Sequence, residues 1–154
     1  MPITRVSRAQ EHYKMSGLKW AGTLIAALLL AASGASHFVM PEQVQPWLPT
    51  WLPAGINTVY AFGAIELILA LGLLIKPTRP MAGLWAVIYA IFGCVIFLPL
   101  LQNPALPDGS AIPLAVVGGA FGVQLLTALF AFLGSNAKAH LVRCGLSGLF
   151  RPAK

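Results

Sequence analysis

Charge is the scarcest commodity in this sequence. Ten Lys/Arg and four Asp/Glu among 154 residues make 9% charged, against 58% hydrophobic. A soluble domain carries about 25% charged residues, so the surface of a water-soluble globule could not be covered here. Cysteine is nearly as rare. Cys94 falls inside an apolar run and Cys144 close to the C-terminal end, with no Cys-x-x-Cys pair. That spacing excludes a plausible disulfide and a thiol–disulfide relay. Of three histidines only His37 falls in an apolar run, while His12 and His140 lie in basic flanks. A bis-histidine b-type haem therefore lacks ligands within one chain, and no Cys-x-x-Cys-His offers c-type attachment. No His/Asp/Glu cluster makes a metal site.

What the chain does have is long apolar runs. Four of them, at 20–40, 58–75, 81–101 and 112–134, approach the roughly 20 residues that cross a hydrocarbon core of about 30 Å. They are continuous rather than alternating, which predicts helices and not barrel strands. Pro41, Lys76-Pro77 and Asn103-Pro104 punctuate them. The predicted fold is all-α, an integral membrane four-helix bundle, with residues 1–19 and 135–154 as flanking basic segments.

The placement of charge predicts the orientation. Arg5, Arg8, Lys14 and Lys19 precede the first span; Lys76 and Arg79 form a short basic turn between the second and third. Lys138, Arg143, Arg151 and Lys154 follow the fourth. The two other connections hold Glu42 and Asp108 and no Lys or Arg. Loops on the cytoplasmic side are enriched in Lys and Arg, so both termini are expected there, in a bacterial inner membrane. The net charge of +6 is then a topology signal that needs no nucleic-acid partner. The basic start, the apolar run and the small-residue tract at 31–36 also imitate a secretory signal peptide. Cleavage there would spoil the charge symmetry, and the first run is taken as a span.

The first outer connection carries four prolines, Pro41, Pro46, Pro49 and Pro53, and two tryptophans, Trp47 and Trp51. The prolines prevent a long helix. Trp47 and Trp51 suit the headgroup layer as interfacial anchors, with a ligand-binding lid as the other reading. The tail after residue 135 mixes apolar residues with Arg143 and Arg151 and suits anionic lipids on the inner leaflet.

Inside the spans the polar residues are few. Glu66, at the middle of the second, is the sole acid in any span. A charge at that depth costs about 2.5–3.5 kcal/mol on insertion scales, so Glu66 is either protonated or partnered. At 100° per residue Val59, Gly63 and Ala70 share its face. Tyr89 shares one with Ala82, Ala86 and Gly93, Gln124 with Ala120, Thr127, Ala128 and Ala131, and His37 with Ala26, Ser33 and Gly34. Each polar side chain thus stands on a stripe of small residues, where helices approach closely. Glu66, Tyr89 and Gln124 fall at similar depth, with His37 about 10–12 Å higher by helix rise unless the outer connection pulls the first span inward. The four form a candidate internal polar site, able to hold a quinone headgroup or carry protons. The competing reading is a hydrogen-bond network that only fixes helix registry. Gly118 and Gly122 form a Gly-x-x-x-Gly match that intrachain packing or a homo-oligomer would explain equally well.

From Ser36-His37-Phe38-Val39-Met40-Pro41-Glu42 onward the sequence resembles the DoxX family, in its DoxX-like/MauE-like branch. The likeness continues through Trp47-Leu48-Pro49, Trp51-Leu52-Pro53, Val59-Tyr60, Gly63, Glu66-Leu67 and Leu71-Gly72-Leu73-Leu74 to Lys76-Pro77-Thr78-Arg79. It covers about half the chain and puts His37, Glu66 and Arg79 on the family's characteristic positions. The second half departs: of an Arg-x-Pro-x-Gln element in the fourth span only Gln124 survives, with Ala120 and Gly122 at the other positions. The missing arginine removes an Arg–Glu pairing and favours a neutral Glu66. The resemblance implies four spans and a membrane partner in redox or sulfur metabolism. The expectation is an accessory or quinone-facing subunit alongside a redox enzyme. The alternatives are a non-catalytic scaffold or assembly factor and, third, a small transporter or proton pathway.

Overall fold

The computed structural model describes residues 17–49, 51–53, 55–106, 109–137 and 141. The basic segment before Gly17, Asp108 and, apart from Leu141, the tail from residue 138 lie outside them. Four long helices dominate: α1 (Gly17–Val39), α3 (Ile56–Leu74), α4 (Arg79–Gln102) and α5 (Leu114–Gly134). Between α1 and α3 come a single-turn helix, α2 (Pro41–Val44), and a 3₁₀ turn (Gln45–Trp47). Among the described residues there is no strand, only an isolated antiparallel bridge between Ala105 and Ala111. The long helices have 23, 19, 24 and 21 residues, or about 28–36 Å at 1.5 Å per residue. All four are long and apolar enough to cross a membrane.

Local chemistry sets the boundaries. Met40 precedes a proline and leaves helical geometry, with φ −133° and ψ 52°, as the proline ring demands of its neighbour. Gly55 enters α3 at φ 137°, where a side chain would be strained. Pro80 sits in the first turn of α4, where its missing N–H costs no helical bond. α5 starts two residues later than the 112–134 pattern predicts. Ile112 donates its N–H to the Pro104 carbonyl and so belongs to a small hairpin with the bridge.

Successive long helices run antiparallel, with α1 packed on α3 and α5, and α4 on α5 and α3. The bundle therefore has two ends: a mouth carrying the described residues among 40–55 and 103–113, and a base carrying the 75–78 turn and the end of α5. Towards the base the packing is dense. Ala26 and Leu30 of α1, Ala70 and Leu73 of α3, Ala86 of α4 and Ala131 of α5 belong to one buried cluster. The outside is equally apolar: Leu28, Ile68, Leu71, Ile91 and Leu133 are all exposed, as suits helices facing lipid and not water.

Arg79, of the short basic turn, does more than carry charge. It is buried, at 6% exposure. Its Nε donates to the Leu73 carbonyl at 2.7 Å and its Nη2 to the Leu74 carbonyl at 3.0 Å. The guanidinium also lies 4.7 Å from the centre of the Trp20 ring. The last carbonyls of α3 have no helical N–H to accept from, and a cation there also meets the negative end of the helix dipole. Beside any part in setting topology, Arg79 ties α1, α3 and α4 together at the base. Lys76 remains exposed in the turn.

Candidate polar site inside the helix bundle

Near the mouth α1 and α3 touch backbone to backbone. A Cβ on Gly34 would stand 2.9 Å from the Gly63 carbonyl oxygen, and one on Gly63 would stand 2.7 Å from the His37 Cβ. Two facing glycines are what permit this crossing. One turn beyond it on each helix sit His37 and Glu66, and the crossing carries them together.

Glu66 is 2% exposed. Its Oε1 accepts a hydrogen bond from the Tyr89 hydroxyl at 2.9 Å, linking α3 to α4. Its Oε2 is buried and has no hydrogen-bond partner among the described residues. The nearest cationic candidate is His37 Nδ1, 3.5 Å away, too far for a good N–H···O bond. That same nitrogen lies 2.7 Å from the Ser33 carbonyl oxygen. A carbonyl can only accept, so Nδ1 carries the hydrogen and donates it to Ser33. His37 thus flanks Oε2 without satisfying it.

His37 is not 10–12 Å above Glu66, as helix rise alone predicts. α1 ends at Val39, whereas α3 begins seven residues before Gly63, so the last turn of α1 meets the middle of α3. The polar side chains expected to converge therefore do so.

They line a cavity of about 370 Å³. Its polar lining comprises Ser33, Ser36, His37, Glu66, Tyr89 and Gln124. Its walls are Phe62 of α3 with Phe92, Ile96 and Phe97 of α4. Residues Met40, Gln43, Val44, Trp47 and Leu48 form the roof, and the exposure of Met40 and Gln43 marks where it opens. Aromatic contacts stiffen the α3–α4 wall: Phe62 meets Tyr89 at 6.4 Å and Phe92 at 6.2 Å between ring centres. Ligand pockets usually measure about 300–1,000 Å³ and are mostly apolar with a few placed polar groups. This cavity fits that description at the small end.

The two tryptophans sit differently. Trp47 lines the cavity and sits edge-on to Phe97 at 6.2 Å. Trp51 is 60% exposed and packs edge-on against Phe92 from outside. Gln124 reaches the cavity because Gly93 makes room. A Cβ there would lie 2.7 Å from the Gln124 Cδ, 2.9 Å from Nε2 and 3.0 Å from Oε1, so the carboxamide lies flat on α4. Gly118 and Gly122, by contrast, face open space, with nothing within 4 Å of where a Cβ would stand; packing within the described chain does not explain that pair.

Sequence reasoning missed Phe62, Phe92, Phe97 and the roof. Phenylalanine in an apolar span looks the same whether it faces lipid or a cavity. The usable signal was spacing, since Phe62 precedes Glu66 by four residues and Phe92 follows Tyr89 by three, which puts both beside the polar faces. Among the described residues no three His, Cys, Asp or Glu side chains gather as a metal site.

A family model described as a domain of unknown function, DUF8561, matches residues 26–100. The match spans His37, Glu66 and Tyr89 and stops short of Gln124. No curated protein and no solved structure matches the chain.

Proposed function

We propose that this chain is an integral membrane protein of a bacterial inner membrane, an accessory subunit of a redox system that holds a quinone head in the cavity beside Glu66. The observation that carries the reading is the unpartnered Glu66 Oε2. A buried polar atom left without a partner costs about 1–3 kcal/mol. Glu66 is among the residues lining an aromatic-walled cavity; a neutral carboxyl with its proton on Oε2 would have one donor to turn towards it, and a carbonyl oxygen is the complement of that donor. A bound quinone would supply a two-electron, two-proton carrier. The residues of the chain would hold its head, exclude water and keep a proton at Oε2. The sequence resemblance to the DoxX family, with its links to redox and sulfur metabolism, supports the same reading.

In this reading the base and both termini are cytoplasmic and the mouth faces outward. Among the described residues the Lys and Arg side chains, Lys19, Lys76 and Arg79, all lie at the base, and Glu42 lies at the mouth. Loops facing the cytoplasm carry that bias.

A second reading, a scaffold without chemistry, draws on the Tyr89–Glu66 bond, which joins two helices whatever else it does. Purification in mild detergent separates the two. The redox reading expects quinone or a redox enzyme to co-purify with the wild type and to be lost from Glu66→Gln, with the redox activity of the membrane falling. Unchanged quinone content and full turnover in Glu66→Gln overturn it. The scaffold reading expects a lost partner or a lower melting temperature with no quinone in either protein.

A further inference from the structure

The cavity holds a second polar group with nothing to bond. Gln124 lines it, and no hydrogen bond joins its carboxamide to any described residue. The amide is pressed face-on to the backbone at Gly93, which leaves its in-plane N–H and C=O edges available. Gly93 stands one helical turn from Tyr89 on α4, about 5–6 Å along the axis, and Tyr89 is bonded to Glu66. Glu66 Oε2 and the half-buried Gln124 carboxamide, neither hydrogen-bonded within the described residues, therefore share one aromatic-walled cavity, one helical turn apart along α4. Flat walls such as Phe62 and Phe92 favour a flat occupant.

We infer that Gln124 is a specificity-determining residue: the cavity takes a planar head with two ring carbonyls, one read by Glu66 and the other by the Gln124 amide. A head with one carbonyl leaves the amide unpaired, and a buried polar group denied its partner discriminates more sharply than a missing methylene does. The second reader also explains why α5 must close the cavity with a polar side chain when the face on either side of it is small or apolar. Gly93 is part of the device, since any larger residue there would push the carboxamide out of its plane. The inference rests on the quinone reading above and sharpens it to a two-point contact.

The test uses the full chain in mild detergent, with equilibrium dialysis against two probes that carry the same decyl tail. One has a para-benzoquinone head and the other a cyclohexenone head. The wild type is expected to bind the quinone about tenfold more tightly than the enone, the worth of one net hydrogen bond. Gln124→Leu is expected to weaken the quinone about tenfold and leave the enone unchanged. Gly93→Ala, which keeps the amide but displaces it, is expected to act in the same direction. Equal binding of the two probes by the wild type overturns the two-point contact while leaving the quinone reading in place. So does quinone binding unaffected by Gln124→Leu in a protein of normal melting temperature. Failure of the wild type to bind either probe overturns both.

Discussion

The base and the mouth of the bundle are built from the same apolar alphabet and do opposite things with it. At the base, alanines and leucines form one buried cluster, and several polar groups among the described residues find partners there. Arg79 caps α3, the Thr78 hydroxyl donates to the Gly72 carbonyl at 2.8 Å, and Lys19 Nζ donates to Asn136 Oδ1 at 2.9 Å. At the mouth phenylalanines wall a cavity, and Glu66 Oε2 goes unsatisfied. On the proposed function, the contrast puts stability in one half and ligand chemistry in the other.

That division can be attacked from both ends. The largest stability effect is expected at the base, from Leu73→Ala. Leu73 is fully buried, and such truncations cost about 2–5 kcal/mol. Unfolding by denaturant in detergent should show the loss, while quinone affinity of the folded fraction stays unchanged. Next comes Arg79→Met, which keeps bulk but removes the donors to two carbonyls, for about 1–3 kcal/mol; the melting temperature should fall with binding again intact. A fall in affinity for either variant would blur the boundary between the halves.

At the mouth the order of effects reverses. Tyr89→Phe removes one interhelical hydrogen bond, which averages about 0.6 kcal/mol in membrane proteins, so the melting temperature should move little. Binding should weaken several-fold, because the carboxyl loses the contact that orients it. Trp51→Ala, at an exposed site, should stay within about 0.5 kcal/mol of wild type and leave dialysis binding unchanged. Trp47→Ala, in the roof, should speed ligand release in stopped-flow mixing. Indistinguishable release rates for the two tryptophan variants would mean that the roof does not gate the cavity.

The sequence showed Glu66 plainly, because an acid amid a hydrocarbon span is costly unless protonated or partnered. The faces were legible too: Val59, Gly63 and Ala70 beside Glu66, and Ala82, Ala86 and Gly93 beside Tyr89, are buried as the 100° spacing requires. The depth of His37 was not. It depends on where α1 crosses α3, which two glycines decide and no single span reveals. The capping by Arg79 was hidden for a related reason, since a cation in a turn has the same letter whether it faces water or reaches back to cap a helix. The roof was hidden because its residues belong to a proline-rich connection whose path over the bundle is a tertiary matter.

Infrared difference spectroscopy on the purified chain reaches the central claim most directly. Glu66 is the one acid within the four spans, so a protonated carboxyl band shielded from solvent exchange can be assigned by its loss in Glu66→Gln. The account predicts that band in the ligand-free wild type and its shift to lower frequency when quinone is added, as Oε2–H finds an acceptor. A band that is absent from the wild type, or that quinone leaves unmoved, would contradict it.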